Sequence, residues 1–202
     1  MNHPSVARAS LPTRHGLFQV YPHVDAKGRE HLALVIGDVR DKQDVPVRIH
    51  SECLTGDVFQ SLRCDCRQQL EASLAYLKER GLGAVLYMRQ EGRGIGLANK
   101  IRAYELQEKG LDTNEANRAL GFEADERTYD VAADMLHMLG VRTIQLLSNN
   151  PQKIRGLLQH GILVTNRIPV VAKAHPINER YLRTKLESGH LLGDAWAPRK
   201  TV

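Results

Sequence analysis

The chain has 202 residues, 42% of them hydrophobic, and a formal net charge of +5. This length and composition suit one globular domain with an ordinary buried core. No apolar run approaches the roughly 18 residues of a membrane span, and residues 1–13 contain no apolar segment of the signal-peptide type. We therefore predict a cytoplasmic protein without a membrane partner. The positive charge favours an anionic ligand, but Lys and Arg alternate with Asp and Glu, so we predict no nucleic-acid surface.

Residues 1–47 have the pattern of β-structure. Residues 16–21 and 31–36 are rich in strand-forming types, and the segment 25–28 between them has the composition of a turn. These features predict an antiparallel hairpin. A third run, residues 45–49, predicts a strand that leads toward the first cysteine.

From residue 66 onward, helical and strand patterns alternate. Leu70, Leu74 and Leu77 recur at helical spacing, and Gly81 stands where a helix ends in a left-handed residue. The other predicted elements are a strand over 83–89, a helix from Leu97, a short helix over 112–119, a helix with Val131, Met135 and Leu139 inward, a strand over 143–147, a helix from Pro151, and strands over 162–165 and 168–172.

Alternating strands and helices are typical of α/β units with a parallel sheet. We predict an α/β fold: a single compact domain over residues 1–202, with a largely parallel sheet flanked by helices and a β-rich N-terminal portion over residues 1–47. Residues 173–202, with a helix over 178–186, are expected to be a peripheral C-terminal segment.

All three cysteines, Cys53, Cys64 and Cys66, fall in one short stretch with the spacing C-x10-C-x-C. In a reducing compartment, clustered thiols more often bind metal or act in catalysis than form disulfides. Zinc accepts thiolate ligands in tetrahedral geometry. The fourth position would go to a histidine, of which His50 is nearest in sequence, or to a water, which is the catalytic arrangement. Three buried cysteines without a metal are the alternative.

Two loops that follow predicted strands could receive phosphate at a helix N-terminus. Gly92, Gly94 and Gly96 form the first, and Arg93 within it offers a forked donor for phosphate. The motif is neither a dinucleotide fingerprint nor a Walker loop, so a tight turn is the alternative. The second loop carries Ser148 and Lys153, and could equally be a capped helix with a solvated lysine. Residues 125–127 (Asp-Glu-Arg) could similarly be an ordinary charged loop.

Six motifs occur together in one order along the chain. They are RIHSECLTGD from Arg48, RCDC from Arg63, RQEGRGIGL from Arg89, NKIRAY from Asn99, LGFEADER from Leu120 and NNPQK from Asn149. Together they resemble the GTP cyclohydrolase II family of riboflavin biosynthesis, over about residues 8–192. The long, ordered motifs make the resemblance specific.

The resemblance implies an enzyme that hydrolytically opens the imidazole ring of GTP. The products would be formate, pyrophosphate and a diaminopyrimidinone that carries the ribosylamino phosphate, in the first step of riboflavin biosynthesis. It also implies one zinc per subunit on Cys53, Cys64 and Cys66, Mg2+ with the triphosphate, and a homodimer. The GTP contacts it implies are Arg48, Ile49, His50, Ser51, Glu52, Gln69, Glu91, Gly92, Arg93, Thr113, Ser148 and Lys153. It assigns Asp125 as proton acceptor, Arg127 as nucleophile and Tyr104 to a position near the base.

Two questions stay open at this level. A protonated guanidinium is no nucleophile, so Arg127 either loses a proton with help from Asp125 or stabilises the transferring phosphoryl group electrostatically.

Two other functions also fit parts of the sequence. One is a zinc-stabilised nucleic-acid-binding module with a fourth protein ligand. The other is a related cyclohydrolase that stops after ring opening or accepts another purine nucleotide.

Overall fold

The computed structural model describes residues 7–170 and 172–192, which form one compact α/β domain. The strands are β1 (Ala9–Thr13), β2 (Gly16–Val24), β3 (Glu30–Ile36), β4 (Val45–Ser51), β5 (Gly83–Met88), β6 (Thr143–Leu147) and β7 (Leu163–Ile168). The helices are α1 (Leu54–Asp57), α2 (Cys66–Arg80), α3 (Leu97–Glu108), α4 (Thr113–Ala119), α5 (Asp130–Leu139), α6 (Pro151–Gln159) and α7 (Glu179–Glu187). A 3-10 turn spans Glu91–Gly94.

All seven strands belong to one mixed sheet, in the order β1-β2-β3-β5-β4-β6-β7. The first three strands and β5 pair antiparallel, whereas β5, β4, β6 and β7 run parallel. The predicted α/β fold and the predicted hairpin of β2 and β3 are confirmed. β1 was not predicted, since it is a mostly exposed edge strand that contains Pro12 and lacks an apolar alternation.

The strand β4 separates the core from the site by the alternation of its side chains. Val47 and Ile49 are fully buried in the main hydrophobic cluster, with residues of α5 and α6. Arg48 points the other way, toward α2, where its Nη2 donates to Gln69 Oε1 at 2.7 Å. One strand therefore supplies apolar side chains to one face of the sheet and polar side chains to the other.

The parallel strands end together at one edge of the sheet. Ser51 at the end of β4 pairs with Met88 at the end of β5, and Val47 pairs with Leu146 near the end of β6. The loops that follow these three strands contain Cys53, the Gly92–Gly96 segment and Ser148. In open α/β sheets this carboxyl edge is the usual place for ligands.

The structure differs from two expectations about the C-terminal part. β7 ends at Ile168, just before Pro169, so the strand expected over 168–172 does not form in its described part, and Val171 lies outside the described residues. The segment 173–202 is not peripheral up to Leu192, because Lys185 of α7 forms an ion pair with Asp65 between two of the cysteines. Residues 193–202 lie outside the described residues. Through the part of the chain that is described, no helix has the length and apolarity to cross a bilayer.

Candidate active site

The three cysteine sulfurs converge at the end of β4. Their Sγ atoms all lie within 4.8 Å of one another, and Cys53 Sγ is 3.7 Å from Cys64 Sγ. A methyl group at Gly56 would lie 3.0 Å from Cys64 Sγ and 3.1 Å from Cys53 Sγ, so a larger residue would displace the sulfurs by a few tenths of an ångström. Three converging thiols in a tight, partly buried cradle fit a soft-ligand metal such as zinc.

The charge state of the cluster also suits a cation. Hydrogen bonds from the Cys64 and Cys66 thiols lower the pKa of Cys53 far below its usual value, and the same bonds raise the pKa of both donors. Hydrogen bonds within the cluster therefore favour the thiolate form of Cys53. A divalent ion would replace the remaining thiol protons, because metal binding deprotonates thiol ligands.

His50 is not the fourth member of this cluster. Its Nε2 lies 3.0 and 3.1 Å from the two carboxylate oxygens of Asp57, and its ring stacks on Tyr87. Asp57 Oδ2 also accepts from Cys53 N at 3.0 Å and from Tyr87 Oη at 2.8 Å. Asp57 therefore fixes the backbone of the first cysteine, and His50 supports it as a buried neutral imidazole. Of the two options for the fourth position, this geometry favours a solvent-derived ligand.

Glu91 and Lys100 support the cluster from the opposite side. The Glu91 carboxylate accepts from Leu54 N at 2.6 Å, Gly92 N at 2.7 Å and Lys100 Nζ at 2.8 Å. Lys100 Nζ also lies 3.2 Å from Cys53 Sγ. Burial lowers the pKa of Lys100, but the Cys53 thiolate and Glu91 outweigh it and raise that pKa above its usual value. Lys100 thus stays cationic against the thiolate.

A cavity opens beside the cysteines, and its concave wall combines polar and apolar side chains as small-molecule sites do. Tyr104 lies in its wall with Oη 3.2 Å from Thr55 Oγ1, and burial raises the pKa of Tyr104, so its phenol stays neutral. The other side chains of the wall are mixed polar and apolar. They include Ser51, Glu52, Arg63, Glu91, Arg93, Thr113, Asn117, Arg127 and Tyr181.

A second cavity is lined by five residues of basic type (Lys or Arg), and none of the described residues in its wall is a carboxylate. These five are Arg48, Arg93, Arg127, Lys153 and Lys185. Four buried side-chain polar atoms among the described residues lack a hydrogen-bond partner, and three of them belong to residues of this wall: Arg48 Nε, His50 Nδ1 and Asn150 Nδ2. A cationic cavity with unsatisfied polar groups fits a multiply charged anion.

Lys153 shows how strongly this cavity lacks a counterion. Its Nζ donates to Ile49 O at 2.6 Å, and the side chain is buried. Burial, and then repulsion from Arg48 and Arg127, lower the pKa of Lys153 well below its usual value. Burial likewise lowers the pKa of Arg48. An anion in the cavity would offset both effects.

Asp125 and Arg127 form a forked ion pair at the boundary of the two cavities. Arg127 Nε donates to Asp125 Oδ1 at 2.8 Å, and Arg127 Nη2 donates to Asp125 Oδ2. Burial lowers the pKa of Arg127, but the Asp125 hydrogen bonds outweigh it and raise that pKa above its usual value. Burial raises the pKa of Asp125, and the Arg127 hydrogen bonds outweigh it in turn and lower that pKa. Both groups are ionised.

The glycine loop packs against the segment that carries this pair. A methyl group at Gly94 would lie 3.0 Å from the backbone of Glu126, and Glu126 N donates to Arg93 O at 2.9 Å. Gly92 N already donates a hydrogen bond to the side chain of Glu91, at 2.7 Å from Oε1. Arg93 has a left-handed backbone, with φ of 60°, and is the member of the loop that lines both cavities.

Most of the residues singled out from the sequence line these cavities, with three differences. Asp125 lines neither cavity and reaches the site through its hydrogen bonds with Arg127. The side chain of Ile49 is fully buried in the core, so only its carbonyl, bonded to Lys153, faces the site. The carboxylate of Glu91 is occupied by three protein donors. Sequence reasoning missed the supporting roles of Asp57, Asp65 and Lys100, although all three lie inside the motifs that carried the resemblance. It also missed Tyr181 and Lys185, for which the sequence offered no such signal.

Known proteins resemble this chain over most of its length. The family model described as GTP cyclohydrolase II matches residues 4–169. The chain belongs to the GTP cyclohydrolase II family. A GTP cyclohydrolase-2 of Picrophilus torridus is 53% identical over 186 residues, which cover 92% of this chain and 97% of that protein. A GTP cyclohydrolase-2 of Azotobacter vinelandii is 53% identical over 190 residues, 93% of this chain and 91% of that protein.

Some relatives are longer proteins. The riboflavin biosynthesis protein RibBA of Salinispora tropica is 56% identical over 191 residues, which cover 93% of this chain but only 48% of that protein. The chain therefore spans about half the length of such relatives, and nearly the whole length of those named GTP cyclohydrolase-2.

Proposed function

We propose that this enzyme of the GTP cyclohydrolase II family opens the imidazole ring of GTP and releases formate and pyrophosphate in riboflavin biosynthesis. The observation that carries the proposal is the junction of the two cavities. The cavity beside the three cysteines and the cationic cavity share five wall residues: Ser51, Cys66, Arg93, Arg127 and Tyr181. A nucleotide fits across this junction, with its base near the cysteines and its triphosphate among the cations.

Zinc on Cys53, Cys64 and Cys66 would supply Lewis acidity and lower the pKa of a water near the base. The residues of the chain prepare the place for this chemistry. Asp57 and Gly56 shape the cysteine cradle, while Lys100 offsets thiolate charge on Cys53. Tyr104, held by Thr55, presents a neutral phenol to the base side of the cavity. A structural zinc in a nucleic-acid-binding module would need a fourth protein ligand, and His50 is committed to Asp57.

Arg48, Arg93, Lys153 and Lys185 would offset the charge of the triphosphate, with Ser148 at the start of the loop before α6. Mg2+ would accompany the triphosphate and offset part of its charge, because no carboxylate of the described residues lines the cationic cavity to hold the ion by itself. Gln69 keeps Arg48 in place through their 2.7 Å hydrogen bond. Among these groups, Arg48, Lys153 and Lys185 are buried, so their charges act on the substrate with little screening by solvent.

For Arg127, we propose electrostatic stabilisation of the α-phosphoryl group during pyrophosphate release. The forked bonds from Asp125 favour the protonated guanidinium, which cannot attack phosphorus. A fixed cation at the junction can instead offset charge that develops on the transferring group. Asp125 orients Arg127 in this account and accepts a proton only in a step that first separates the pair.

We also propose a cytoplasmic location and a homodimer. Three reduced thiols in one cluster suit the cytoplasm. Val58, Phe59 and Leu62, which follow α1, are 57%, 72% and 51% exposed, and subunit interfaces cover exposed apolar residues of this kind. Light scattering of the purified protein would give twice the mass of the chain, and the mass of a single chain would contradict the dimer.

Metal removal tests the reaction directly. The protein should convert GTP with Mg2+ into formate and pyrophosphate in equal amounts. Dialysis against a zinc chelator should abolish formate release, and added Zn2+ should restore it while added Mg2+ alone does not. Full turnover by the chelated protein would contradict a zinc-dependent reaction. Formate without pyrophosphate would instead identify a cyclohydrolase that stops after ring opening.

A further inference from the structure

Helix α7 lies over the junction of the two cavities. Tyr181, in its first turn, lines both the cavity beside the cysteines and the cationic cavity. Lys185, one turn later, lines the cationic cavity, as does His190 beyond the end of the helix. The matched family region ends at residue 169, so all three lie beyond it.

A buried ion pair ties α7 to the cysteine cluster. Lys185 Nζ lies 2.5 Å from Asp65 Oδ1, and both side chains are at least nine-tenths buried. Asp65 separates Cys64 from Cys66, and its other oxygen accepts from Gln69 Nε2 at 2.5 Å. The chain of contacts runs on from Gln69 to Arg48. Lys185 is thus linked through Asp65 to the turn between Cys64 and Cys66, and through Gln69 to Arg48 of the second cavity.

The Lys185 ammonium also fixes Tyr181. It lies 4.6 Å from the centre of the Tyr181 ring, a cation–π distance. The phenol ring is therefore held between Lys185 and the open space where the cavities meet.

Three further contacts hold the ends of α7 in place. Leu191 N donates to Asn149 O at 2.8 Å, beside the loop that carries Ser148. Asn114 Nδ2 donates to Ser188 Oγ at 3.0 Å, and Arg180 donates to Gly110 O. The helix is thus tied to α4, to the residues that follow α3 and to the loop after β6.

We propose that α7 is a wall of the nucleotide site, with Tyr181 a substrate-contact residue for the ribose and Lys185 the residue that positions it. This inference rests on the proposed function. The ribose joins base to triphosphate, so it must occupy the junction. Ser51, Cys66, Arg93, Arg127 and Tyr181 line that junction, and Tyr181 is the one aromatic side chain among them. Its ring offers the apolar surface that a sugar face packs against.

Equilibrium binding separates a ribose contact from a general structural role. The probes are the α,β-methylene analogue of GTP and inorganic triphosphate, each with Mg2+, titrated into the zinc-loaded protein. Tyr181→Leu should weaken the analogue about ten-fold, and Tyr181→Phe should keep near wild-type affinity since the ring is retained. Neither change should alter the affinity for inorganic triphosphate, which has no ribose. With GTP, Tyr181→Leu should raise KM and leave kcat within about three-fold of wild type.

Lys185→Met should weaken the analogue at least ten-fold, because it removes a cation of the second cavity, releases the Tyr181 ring and leaves Asp65 without its cation. The double variant Asp65→Asn with Lys185→Met should regain part of that loss, since no unpaired carboxylate remains. Arg183→Met is the matched control on the same helix and should bind the analogue like wild type. The Arg183 side chain is 56% exposed and pairs with Glu179.

Two results would overturn the inference: Tyr181→Leu binding the analogue within two-fold of wild type, or Tyr181→Leu weakening inorganic triphosphate as much as the analogue. A wild-type protein that neither binds the analogue nor releases formate would instead overturn the proposed function. Measurements on the wild-type protein therefore distinguish a failure of this inference from a failure of the proposed function.

Discussion

Arg127 meets Asp125 through a forked pair of hydrogen bonds, and this geometry decides how a guanidinium can act here. A paired, protonated arginine at the junction is an electrostatic group. Arg127→Ala should lower the rate of pyrophosphate release about a thousand-fold, the scale of a lost transition-state donor. Arg142→Ala is the matched control, since Arg142 is exposed and pairs with Asp41.

The same residue can be tested for a covalent role. With GTP labelled on the α-phosphate, rapid quenching of the wild-type reaction should leave no label on the protein. A labelled adduct at Arg127 would contradict the electrostatic account and show that Arg127 attacks phosphorus. Unchanged pyrophosphate release by Arg127→Ala would remove the residue from the mechanism altogether.

Lys153 links substrate binding to proton uptake. Its pKa lies well below the usual value in the free protein, and a triphosphate nearby must raise that pKa because it stabilises the ammonium. Calorimetric titration of the GTP analogue in buffers of different ionisation enthalpy should show more protons taken up by wild type than by Lys153→Met, by up to one. Equal proton counts for the two proteins would contradict a depressed pKa at Lys153.

The lowered pKa of Lys153 also determines how the stability of the ligand-free protein changes with pH. Between the depressed pKa of folded Lys153 and its unfolded value, the unfolded chain binds the extra proton. The free energy of unfolding of the ligand-free protein should therefore rise with pH through that window. Lys153→Met should flatten this rise.

Individual residues were predictable from sequence where chemistry alone limits the choice. Cys53, Cys64 and Cys66 are the only sulfurs that could form a thiolate site, and their spacing suffices to group them. Asp57 lies in the motif RIHSECLTGD and Lys100 in the motif NKIRAY. A lysine on a helix and an aspartate in a turn are nevertheless usually solvated. Their roles depend on burial, which the local sequence does not encode.

At the scale of elements, α1 shows how four residues can shape a metal cradle. Gly56 is in helical conformation, and a methyl group there would meet two cysteine sulfurs at 3.0 and 3.1 Å and the Cβ of Cys66 at 3.2 Å. Alanine is favoured over glycine in a helix by roughly 1 kcal/mol, so helix propensity alone would make Gly56→Ala stabilising. Any loss on substitution therefore reports on the sulfur cluster.

Gly56→Ala should bind metal more weakly and hold it in altered geometry. In the cobalt-substituted protein, the thiolate-to-cobalt absorption should shift or weaken relative to wild type, while the metal-free variant should unfold at least as late as the metal-free wild type. Wild-type absorption and affinity would show that the cysteines do not need the space that Gly56 leaves. Early unfolding of the metal-free variant would place the clash in the fold itself.

The predicted elements succeeded where local pattern and packing agree. The hairpin of β2 and β3 and the helix α2, ended by Gly81 in left-handed conformation, follow from strand propensity, turn residues and helical spacing. β1 and α7 show the limits. β1 is stabilised by pairing with β2 and has little apolar pattern of its own, and α7 is held by partners far away in sequence, including Asp65 and Asn149.

For the whole molecule, the sheet explains why one site can serve two chemistries. The loops after β4, β5 and β6 bring the cysteine cluster, the Arg93 loop and the Ser148 loop to one edge. A thiol-lined cavity and a cationic cavity thus meet across a single junction. Sequence order predicts the α/β alternation, but it does not predict that α7 returns to cover this junction, because that depends on the tertiary contacts of Lys185.

The most direct test of the central claim follows the carbon that the proposed reaction removes. The protein is incubated with Mg2+ and GTP labelled with carbon-13 at C8 of the guanine, and the label is followed by nuclear magnetic resonance. The account predicts that the label leaves the purine and appears in formate, one formate for each pyrophosphate, and only while zinc is bound. Label that stays in an intact purine ring while pyrophosphate is released would contradict it.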